Sequence, residues 1–411
     1  MFQLITVALC FILVPLLERF KVGLWASLAV TAVVMAFING LGIIDVVNVI
    51  IAVFTGPTSQ NAILTITAVT IMGAMMKAYG ILERIVEGLS VIVKDKRNLM
   101  IIIPLLIGCL AVPGGAILSA PFILNLGNEL GMGKAESAAS NLVFRHMAMF
   151  ALPYSASVVL VSSITGLPVM TFIPLNSVFI IPTFIAGYFI YLKKVPPKIN
   201  EEKVPFIPGM RQILKYTAPI YIPILVHMVT GLVLWLSMFS SLIVIFIMSP
   251  DKKGYPKLLV KSIGWKTISS AVGVFMIQGV VNNLEALIET FGVMVYSGSG
   301  GLMLLALFLA SALFGLITGF QMAAMSIVVP MLMTLNLGPG EFMALLYFVY
   351  CSAYLGYYFS PLHMCQIFTN EYMGVSLQNL YRVYRPYAAF MVVHLAISYF
   401  ILSNILPIIF G

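Results

Sequence analysis

Charged residues are scarce in this sequence: Asp, Glu, Lys and Arg make up 9% of it, against 61% for hydrophobic residues. Soluble domains contain about 25% charged residues, so an ordinary soluble fold is excluded. Runs without any of these four residues, such as Val22–Ile44, Asn98–Asn128 and His146–Leu192, reach the roughly 20 residues that a membrane-spanning helix needs. Their unbroken apolar character differs from the alternating segments of membrane barrels. We therefore predict an all-α polytopic membrane protein.

Cysteine is also scarce, and its spacing carries neither a metal nor a disulfide pattern. The four cysteines, Cys10, Cys109, Cys351 and Cys365, lie in apolar segments without a CxxC pair. We expect them to be small buried hydrophobic side chains, with no disulfide framework and no zinc site. The motifs GxSxG and HExxH and paired aspartates are lacking too, so we expect no enzyme activity.

Basic residues outnumber acidic ones and give a formal charge of +8. Because they flank apolar runs, we interpret them as determinants of membrane topology and expect membrane lipids, and no nucleic acid, as partners. The chain begins MFQLITVALC, without a basic n-region or a small-residue cleavage site. The first segment is therefore predicted to be a retained helix and not a signal peptide.

The basic residues orient the chain in the membrane. Every Lys and Arg except Arg145 can be placed on the cytoplasmic face by one threading in which the two halves run in opposite directions. In this threading Lys77 to Arg97 is a short cytoplasmic loop, and the Pro-rich segment Lys193 to Lys215 is a cytoplasmic linker. Residues 282–341 contain acids but no Lys or Arg, so they are predicted to face outside. Both termini are also predicted outside.

Two long segments begin and end on the same face and are interrupted near the middle, which is typical of re-entrant hairpins. A weak internal match supports two repeats, since Gly108, Ala116 and Ser119 correspond to Gly315, Ala323 and Ser326 at one constant spacing. Repeat 1 (1–192) is predicted to contain scaffold helices 2–39, hairpin 98–130 and broken helix 136–163. After the linker (193–215), repeat 2 (216–411) is predicted to contain scaffold helices 216–248, hairpin 300–336 and broken helix 342–370.

Interrupted helices at membrane depth must face protein or an aqueous cavity, because lipid cannot pair with free backbone groups. Their residues are therefore candidates for solute binding. The candidate substrate-binding residues are Gly114, Gly115, Ser119, Asn141, Arg145, Tyr154, Ser155, Thr318, Gly319, Gln321, Ser326, Ser360, Pro361 and His363. The candidate cation-coupling residues are Pro113, Pro153, Ser157, Thr318 and Ser360. None of these residues is acidic, which favours an anionic or neutral solute over a cation.

Two candidates have more than one interpretation. Arg145 is either a direct partner of a carboxylate or phosphate, or a structural residue that pairs with Glu136 or a carbonyl. His363 follows a break and is either a hydrogen-bond donor to the solute or a proton-coupling group. His146, His227 and His394 lack such a location and are interpreted as interior or interfacial histidines.

The stretches VPGGAILSAP (Val112–Pro121) and GYYFSPLHMC (Gly356–Cys365) resemble the prokaryotic integral membrane proteins of domain-of-unknown-function family 401. That family looks like a member of the ion transporter superfamily, with its gluconate, citrate, dicarboxylate, lactate and arsenite carriers. The resemblance implies two inverted repeats, a scaffold domain that dimerises, elevator-type movement and a prokaryotic plasma (inner) membrane. The Ser-Asn-Thr signature that dicarboxylate carriers have at their hairpin tips is not present.

These observations predict a secondary active transporter of a small organic anion, coupled to Na⁺ or H⁺, with no cofactor beyond Na⁺ as a coupling ion. Three alternatives remain at this point. A Na⁺/H⁺ antiporter of the same architecture would need a titrating carboxylate, for which Asp45 and Glu371 are the candidates. An ion channel would show uncoupled flux, and an intramembrane enzyme would need a nucleophile and base at productive spacing.

Overall fold

The computed structural model describes residues 2–20, 22–109, 116–199, 206–284, 300–333, 335 and 337–410, and the regular elements in these ranges are all helices. The first half contains α1 (Phe2–Arg19), α2 (Leu24–Ile38), α3 (Ile43–Thr55), α4 (Pro57–Ala78), α5 (Ile81–Ile92), α6 (Lys96–Gly108), α7 (Ala116–Glu129), α8 (Lys134–Ala151), α9 (Ala156–Thr165) and α10 (Phe172–Gly187). A 3-10 turn (Val169–Thr171) precedes α10 and a π turn (Tyr188–Leu192) follows it.

The second half contains α11 (Phe206–Thr230), α12 (Leu234–Met248), α13 (Tyr255–Lys261), α14 (Trp265–Asn282), α15 (Gly300–Thr318), α16 (Gln321–Met333), α17 (Pro339–Tyr358), α18 (Met364–Met373) and α19 (Leu377–Phe410). Five described segments are long and apolar enough to cross a membrane: Ser59–Ala78, Val169–Leu192, Phe206–Thr230, Gly301–Thr318 and Leu377–Phe410. Their length and composition indicate a membrane-embedded protein.

Each half contains a pair of helices, a broken helix and a long helix in the same order. The pair α6–α7 precedes the broken helix α8–α9, as the pair α15–α16 precedes α17–α18. The second parts of the two broken helices, α9 and α18, have 10 residues each and end at glycines in the left-handed region, Gly166 and Gly374. Proline occupies the same place in both breaks, as Pro153 and Pro361. A proline supplies no N–H to continue the helix, which explains why the helices end there.

The two halves interdigitate. In each half the helix pair packs against the first part of its own broken helix, so α6 and α7 contact α8, while α15 and α16 contact α17. The second parts cross over, since α9 packs on α16 and α18 packs on α7. These ten helices, α6–α10 and α15–α19, form one body that we call the core bundle. The remaining helices, α1–α5 and α11–α14, form a second group that contacts the core bundle mainly through α4, α14 and α1.

The glycines that match between the halves lie where helices approach closely. A Cβ atom on Gly315 of α15 would lie 2.5 Å from the carbonyl oxygen of Ala353 on α17, and a Cβ on Gly108 of α6 would overlap the carbonyl of Arg145 on α8. Only glycine allows such an approach between backbones, and small residues at helix interfaces are typical of membrane proteins. The weak internal sequence match therefore corresponds to an equivalent contact in each half.

Two segments differ from the sequence-based expectation. Within the predicted loop Lys77 to Arg97 the chain forms α5, which buries Ile85 and Leu89 and exposes Glu83 and Arg84. Its charged residues share one face, so the segment is an amphipathic helix. The predicted linker is also shorter, because α11 begins at Phe206 and packs its early residues on α5. Glu285, Glu289 and the first hairpin tip, Pro113 to Gly115, lie outside the described residues.

Candidate functional site

A cavity of about 420 Å³ lies between the core bundle and the second group of helices. On the core side it is lined by both helix breaks and by the connection between α15 and α16. On the other side it is lined by α4 and α14, through residues such as Thr70, Lys266 and Ser270. Lys266, Trp25 and Met364 of the lining are exposed, whereas Tyr154 and His363 are buried. The cavity therefore reaches from the protein surface to the interrupted helices.

The α8–α9 break is held by local hydrogen bonds. Ser155 is the N-cap residue of α9, where its hydroxyl accepts a hydrogen bond from the backbone N–H of Val158 at 3.4 Å. Ser is a preferred N-cap residue because its short side chain satisfies a free helix N–H. The hydroxyl of the preceding Tyr154 donates to the carbonyl of Cys109 at 2.7 Å, which joins the break to the end of α6.

The α17–α18 break is joined to the neighbouring helix α15. The Ser360 hydroxyl donates to the carbonyl of Leu316 at 2.6 Å and accepts from the backbone N–H of Leu362 at 3.1 Å. Tyr381 of α19 donates to the carbonyl of Phe359 at 2.8 Å. These bonds satisfy backbone groups that the interruption frees, as a break at membrane depth requires. His363 is the N-cap residue of α18.

The connection between α15 and α16 contacts the α17–α18 break. The Thr318 hydroxyl donates to the carbonyl of Phe314 at 2.7 Å and accepts from the N–H of Phe320 at 3.2 Å. Gly319 has a φ of +63°, and a Cβ there would lie 2.8 Å from the carbonyl carbon of Leu362. Gln321 begins α16 and donates to the carbonyl of Tyr350 at 3.1 Å. The connection between α15 and α16, which we call the tip, therefore forms part of the cavity wall.

Several helices begin at the cavity, and three others end there. The first residues of α9, α16 and α18 are lining residues, and so is Lys266, the second residue of α14. Each helix N-terminus carries a partial positive charge and free N–H groups that favour anions. The last turns of α8, α15 and α17 also reach the cavity, at Phe150, Thr318 and Tyr357, and carry the opposite partial charge. Among the described lining residues the full charge is that of Lys266, and there is no Asp or Glu. The cavity is therefore suited chemically to a small anion.

The structure brings seven of the predicted site residues together at this cavity: Tyr154, Ser155, Ser157, Thr318, Gly319, Gln321 and His363. Pro153, Ser119, Ser326 and Ser360 are buried nearby in the core bundle but do not line it. Exposed Pro361 lies beside a separate pocket with Tyr381 and Arg385. Pro113, Gly114 and Gly115 lie outside the described residues.

Asn141 and Arg145 lie within the core bundle and not on the cavity wall. Asn141 donates to the carbonyl of Ala116 at 3.1 Å and lies 3.3 Å from the hydroxyl of Thr369, so it links α7, α8 and α18. Arg145 is fully buried on α8, where its backbone carbonyl packs against Gly108. In this conformation both positions are typical of residues that hold helices together.

Some cavity residues did not stand out in the sequence. His146 lies beside Arg145 on α8 and reaches the cavity, where its Nε2 atom is 3.0 Å from Nε2 of His363. Cys365 joins this pair, and Tyr357 lies 3.4 Å from His146 Nε2. The only sequence signal was the position of Cys365 two residues after His363 at a helix start. The sequence context of Lys266 indicates a topology determinant, but its side chain also lines the cavity.

These features define a polytopic helical membrane protein with a cavity at its interrupted helices. The chain belongs to the family described as "Protein of unknown function (DUF401)", whose model matches residues 1–405. This confirms the family indicated by the VPGGAILSAP and GYYFSPLHMC stretches. No curated protein matches the sequence.

Proposed function

We propose that this protein is a secondary active transporter of a small organic anion, a carboxylate, coupled to Na⁺ or H⁺. The observation that carries the proposal is the convergence of the α9, α16 and α18 N-termini and Lys266 on one cavity whose described lining contains no carboxylate. Helix N-termini that point at an anionic solute group are the membrane equivalent of soluble anion sites. Hydroxyls and backbone carbonyls of the breaks, including Thr318 and Ser360, would accommodate a Na⁺ ion.

The arrangement of the halves supports two inverted repeats and membership of the ion transporter superfamily. The order of elements recurs, the prolines and glycine caps recur at the breaks, and each half packs the end of its broken helix on the helix pair of the other. An inverted relation between the repeats follows from the opposite threading of the basic residues. Broken helices that meet at a solute site are the arrangement expected of such carriers.

The position of the cavity supports an elevator-type mechanism. One wall belongs to the core bundle and the other to α4 and α14, so movement of the bundle along these two helices would carry the solute site across the membrane. The exposed lining residues Lys266 and Trp25 are ones that the threading places near the cytoplasm. We interpret this conformation as inward-facing.

The family resemblance supports a location in the prokaryotic plasma membrane, and the same threading supports both termini outside and a cytoplasmic linker. We also propose a homodimer formed through the scaffold helices, where large apolar side chains such as Phe37, Ile38 and Phe239 are exposed. An antiporter is less well supported, because Asp45 and Glu371 are exposed and neither lines the cavity.

Uptake of radiolabelled carboxylates into proteoliposomes under an imposed Na⁺ or H⁺ gradient tests the proposal. We expect saturable uptake that stops when an ionophore collapses the gradient. Uptake that is unsaturable and independent of any gradient would instead indicate a channel. Absence of anion uptake beside a working control carrier, with cation-dependent proton flux, would indicate the antiporter.

A further inference from the structure

We propose that His146, His363 and Cys365 form a binding site for a transition-metal cation of the Zn²⁺ class at the buried end of the cavity. The three side chains are at most 2% exposed, and their potential ligand atoms all lie within 4.8 Å of one another. His146 comes from α8 in the first half, whereas His363 and Cys365 come from the start of α18 in the second. The site therefore forms only where the halves meet.

The backbone determines which ring nitrogen of each histidine carries the proton. His146 Nδ1 lies 2.6 Å from the carbonyl oxygen of Leu142, and His363 Nδ1 lies 3.2 Å from that of Tyr358. A carbonyl oxygen only accepts hydrogen bonds, so Nδ1 must be the donor in both rings. In the neutral rings, Nε2 then carries a lone pair. Carbonyl partners of this kind orient histidines that bind metals.

Two lone pairs consequently face each other, because the two Nε2 atoms are 3.0 Å apart. A hydrogen bond between neutral rings would need a proton on one of these atoms, which the Nδ1 contacts exclude. The Tyr357 hydroxyl, 3.4 Å from His146 Nε2, can donate to one of these lone pairs, whereas a cation between the rings would bind both. Two nitrogen ligands at about 2.0–2.1 Å from a tetrahedral Zn²⁺ are about 3.3 Å apart, so the observed separation is close to that of a metal site.

The third ligand determines the kind of metal. Cys365 is the second residue of α18, and a helix N-terminus stabilises the anionic thiolate that binds metals. Two imidazoles and a thiolate select Zn²⁺ and neighbouring transition metals over Na⁺, Mg²⁺ or Ca²⁺, which prefer oxygen ligands. The spacing of cysteines along the chain does not reveal this site, because its ligands come from two distant segments.

Three protein ligands leave the fourth position of a tetrahedral ion open, as in zinc sites that bind a further group. All three residues line the cavity, so this position faces the space in which we place the anion. A carboxylate oxygen of the solute would complete the coordination. This last step rests on the proposed function, whereas metal binding itself does not.

Binding of Co²⁺ to the purified full-length protein in detergent tests the site. After removal of metals with a chelator, we expect one equivalent of Co²⁺ to produce a thiolate-to-cobalt charge-transfer band, and Zn²⁺ to abolish it by competition. Cys365→Ser should remove the band, and His363→Gln should weaken Co²⁺ binding at least about tenfold. Cys351→Ser, which replaces an equally buried cysteine outside the cluster, should retain the wild-type spectrum.

Monodisperse elution and a helical circular dichroism spectrum establish that each variant is folded. A folded wild-type protein that retains neither Co²⁺ nor Zn²⁺ would overturn the proposal. A cobalt spectrum that is unchanged in Cys365→Ser would overturn it as well. Because these measurements need no transport, a protein that binds Co²⁺ but transports nothing contradicts the proposed function alone.

Discussion

At the scale of residues, Lys266 is the charged side chain that links the cavity to the exterior in the described part of the chain. An exposed cation at the mouth of a cleft raises the local concentration of an anionic solute and stabilises its first bound position. The helix N-termini deeper in the cavity carry only partial charges, so they depend on this residue for long-range attraction.

We predict that Lys266→Gln raises the KM for anion uptake about tenfold, which corresponds to about 1.4 kcal/mol, with little change in the maximal rate. Lys257→Gln is the matched control, since Lys257 is exposed on nearby α13 but does not line the cavity. Initial uptake rates over a range of solute concentrations measure both values. Equal effects of the two substitutions would show that only the general surface charge matters.

A second residue-scale prediction concerns Asp95, the N-cap residue of α6 outside the membrane-spanning segments. Its carboxylate accepts hydrogen bonds from the Arg97 side chain at 2.7 Å and from the Arg97 backbone N–H at 3.0 Å. The side-chain hydrogen bond to Arg97 is the main cause that lowers the pKa of Asp95. A carboxylate with a lowered pKa stabilises the fold above its unfolded pKa of about 3.9, and this stabilisation is lost as the pH falls through the folded value.

Asp95→Asn should therefore lower the Tm at neutral pH by an amount equivalent to about 1 kcal/mol or less. Its Tm should also fall less than that of the wild type between about pH 5 and the folded pKa of Asp95. Thermal unfolding in detergent at a series of pH values measures this difference. Glu87→Gln, which removes an exposed ion pair with Arg84, should leave the profile almost unchanged. If the Tm of Asp95→Asn fell with decreasing pH as steeply as that of the wild type, Asp95 would not be the group that causes the loss of stability.

The sequence predicts features of single residues that act on their own backbone, but it does not predict which distant residues meet in the folded protein. Pro153 and Pro361 mark helix ends because each acts on its own backbone. His146 and Cys365 are separated along the chain and meet only when α8 packs against α18. A histidine on an apolar helix and a cysteine without a CxxC partner carry no local signal of that meeting, so the sequence could not reveal their cluster.

At the scale of elements, the connection between α15 and α16 packs against the break between α17 and α18. Gly319 adopts a left-handed conformation and touches Leu362 in the α17–α18 break. A side chain at this position would both strain the backbone and push the tip away from the cavity. Gly166, at the end of α9, has a similar φ of +72°, but a Cβ atom there would meet no neighbouring atom of the described residues within 4 Å.

A comparison of alanine substitutions at Gly166 and Gly319 separates the effect of backbone strain from the effect of displacing the α15–α16 connection. Gly166→Ala should cost about 1–2 kcal/mol in unfolding free energy and should leave the KM for uptake unchanged. Gly319→Ala should show a similar loss of stability together with at least a tenfold loss of uptake, because the wall of the cavity must move. Thermal unfolding and uptake assays compare the two. Retained uptake in a folded Gly319→Ala protein would show that the tip does not shape the site.

The elements show where sequence patterns suffice and where they do not. Long apolar runs predict the helices, because the requirement of lipid for internal hydrogen bonding acts locally. Proline alone does not predict an interruption, since Pro182 and Pro330 lie inside helices whereas Pro153 and Pro361 lie in breaks. The amphipathic helix α5 differs from the predicted loop, which depends on the basic residues from Lys77 to Arg97 as a signal of orientation. Its helical character depends on the burial of Ile85 and Leu89 against neighbouring helices, a tertiary contact.

At the scale of the whole molecule, the two halves share one order of elements, as expected from the distribution of basic residues. The distribution of basic residues does not predict how the two halves interdigitate. Basic residues predict a topology because Lys and Arg are enriched in cytoplasmic loops. The crossing of α9 onto α16 and of α18 onto α7 depends on close packing at small residues, for which charge carries no information. The cavity arises from that crossing, so its lining could be predicted only in part.

The central claim is that this cavity is exposed alternately to the two sides of the membrane. Ser157 lies on α9 and lines the cavity, so Ser157→Cys reports its accessibility to a membrane-impermeant maleimide in vesicles of either orientation. The unsubstituted chain measures the background from its four cysteines, and Lys257→Cys marks the face where Lys266 lies.

The decisive comparison uses proteoliposomes under two conditions. The solute and the coupling ion are supplied from one side of the membrane in the first condition and from the other side in the second. The account predicts that Ser157→Cys reacts from the Lys266 face in one condition and from the opposite face in another, whereas Lys257→Cys reacts from a single face in both. Labelling of Ser157→Cys from the same face under every gradient and solute condition, in protein that is folded and inserted, would contradict the account.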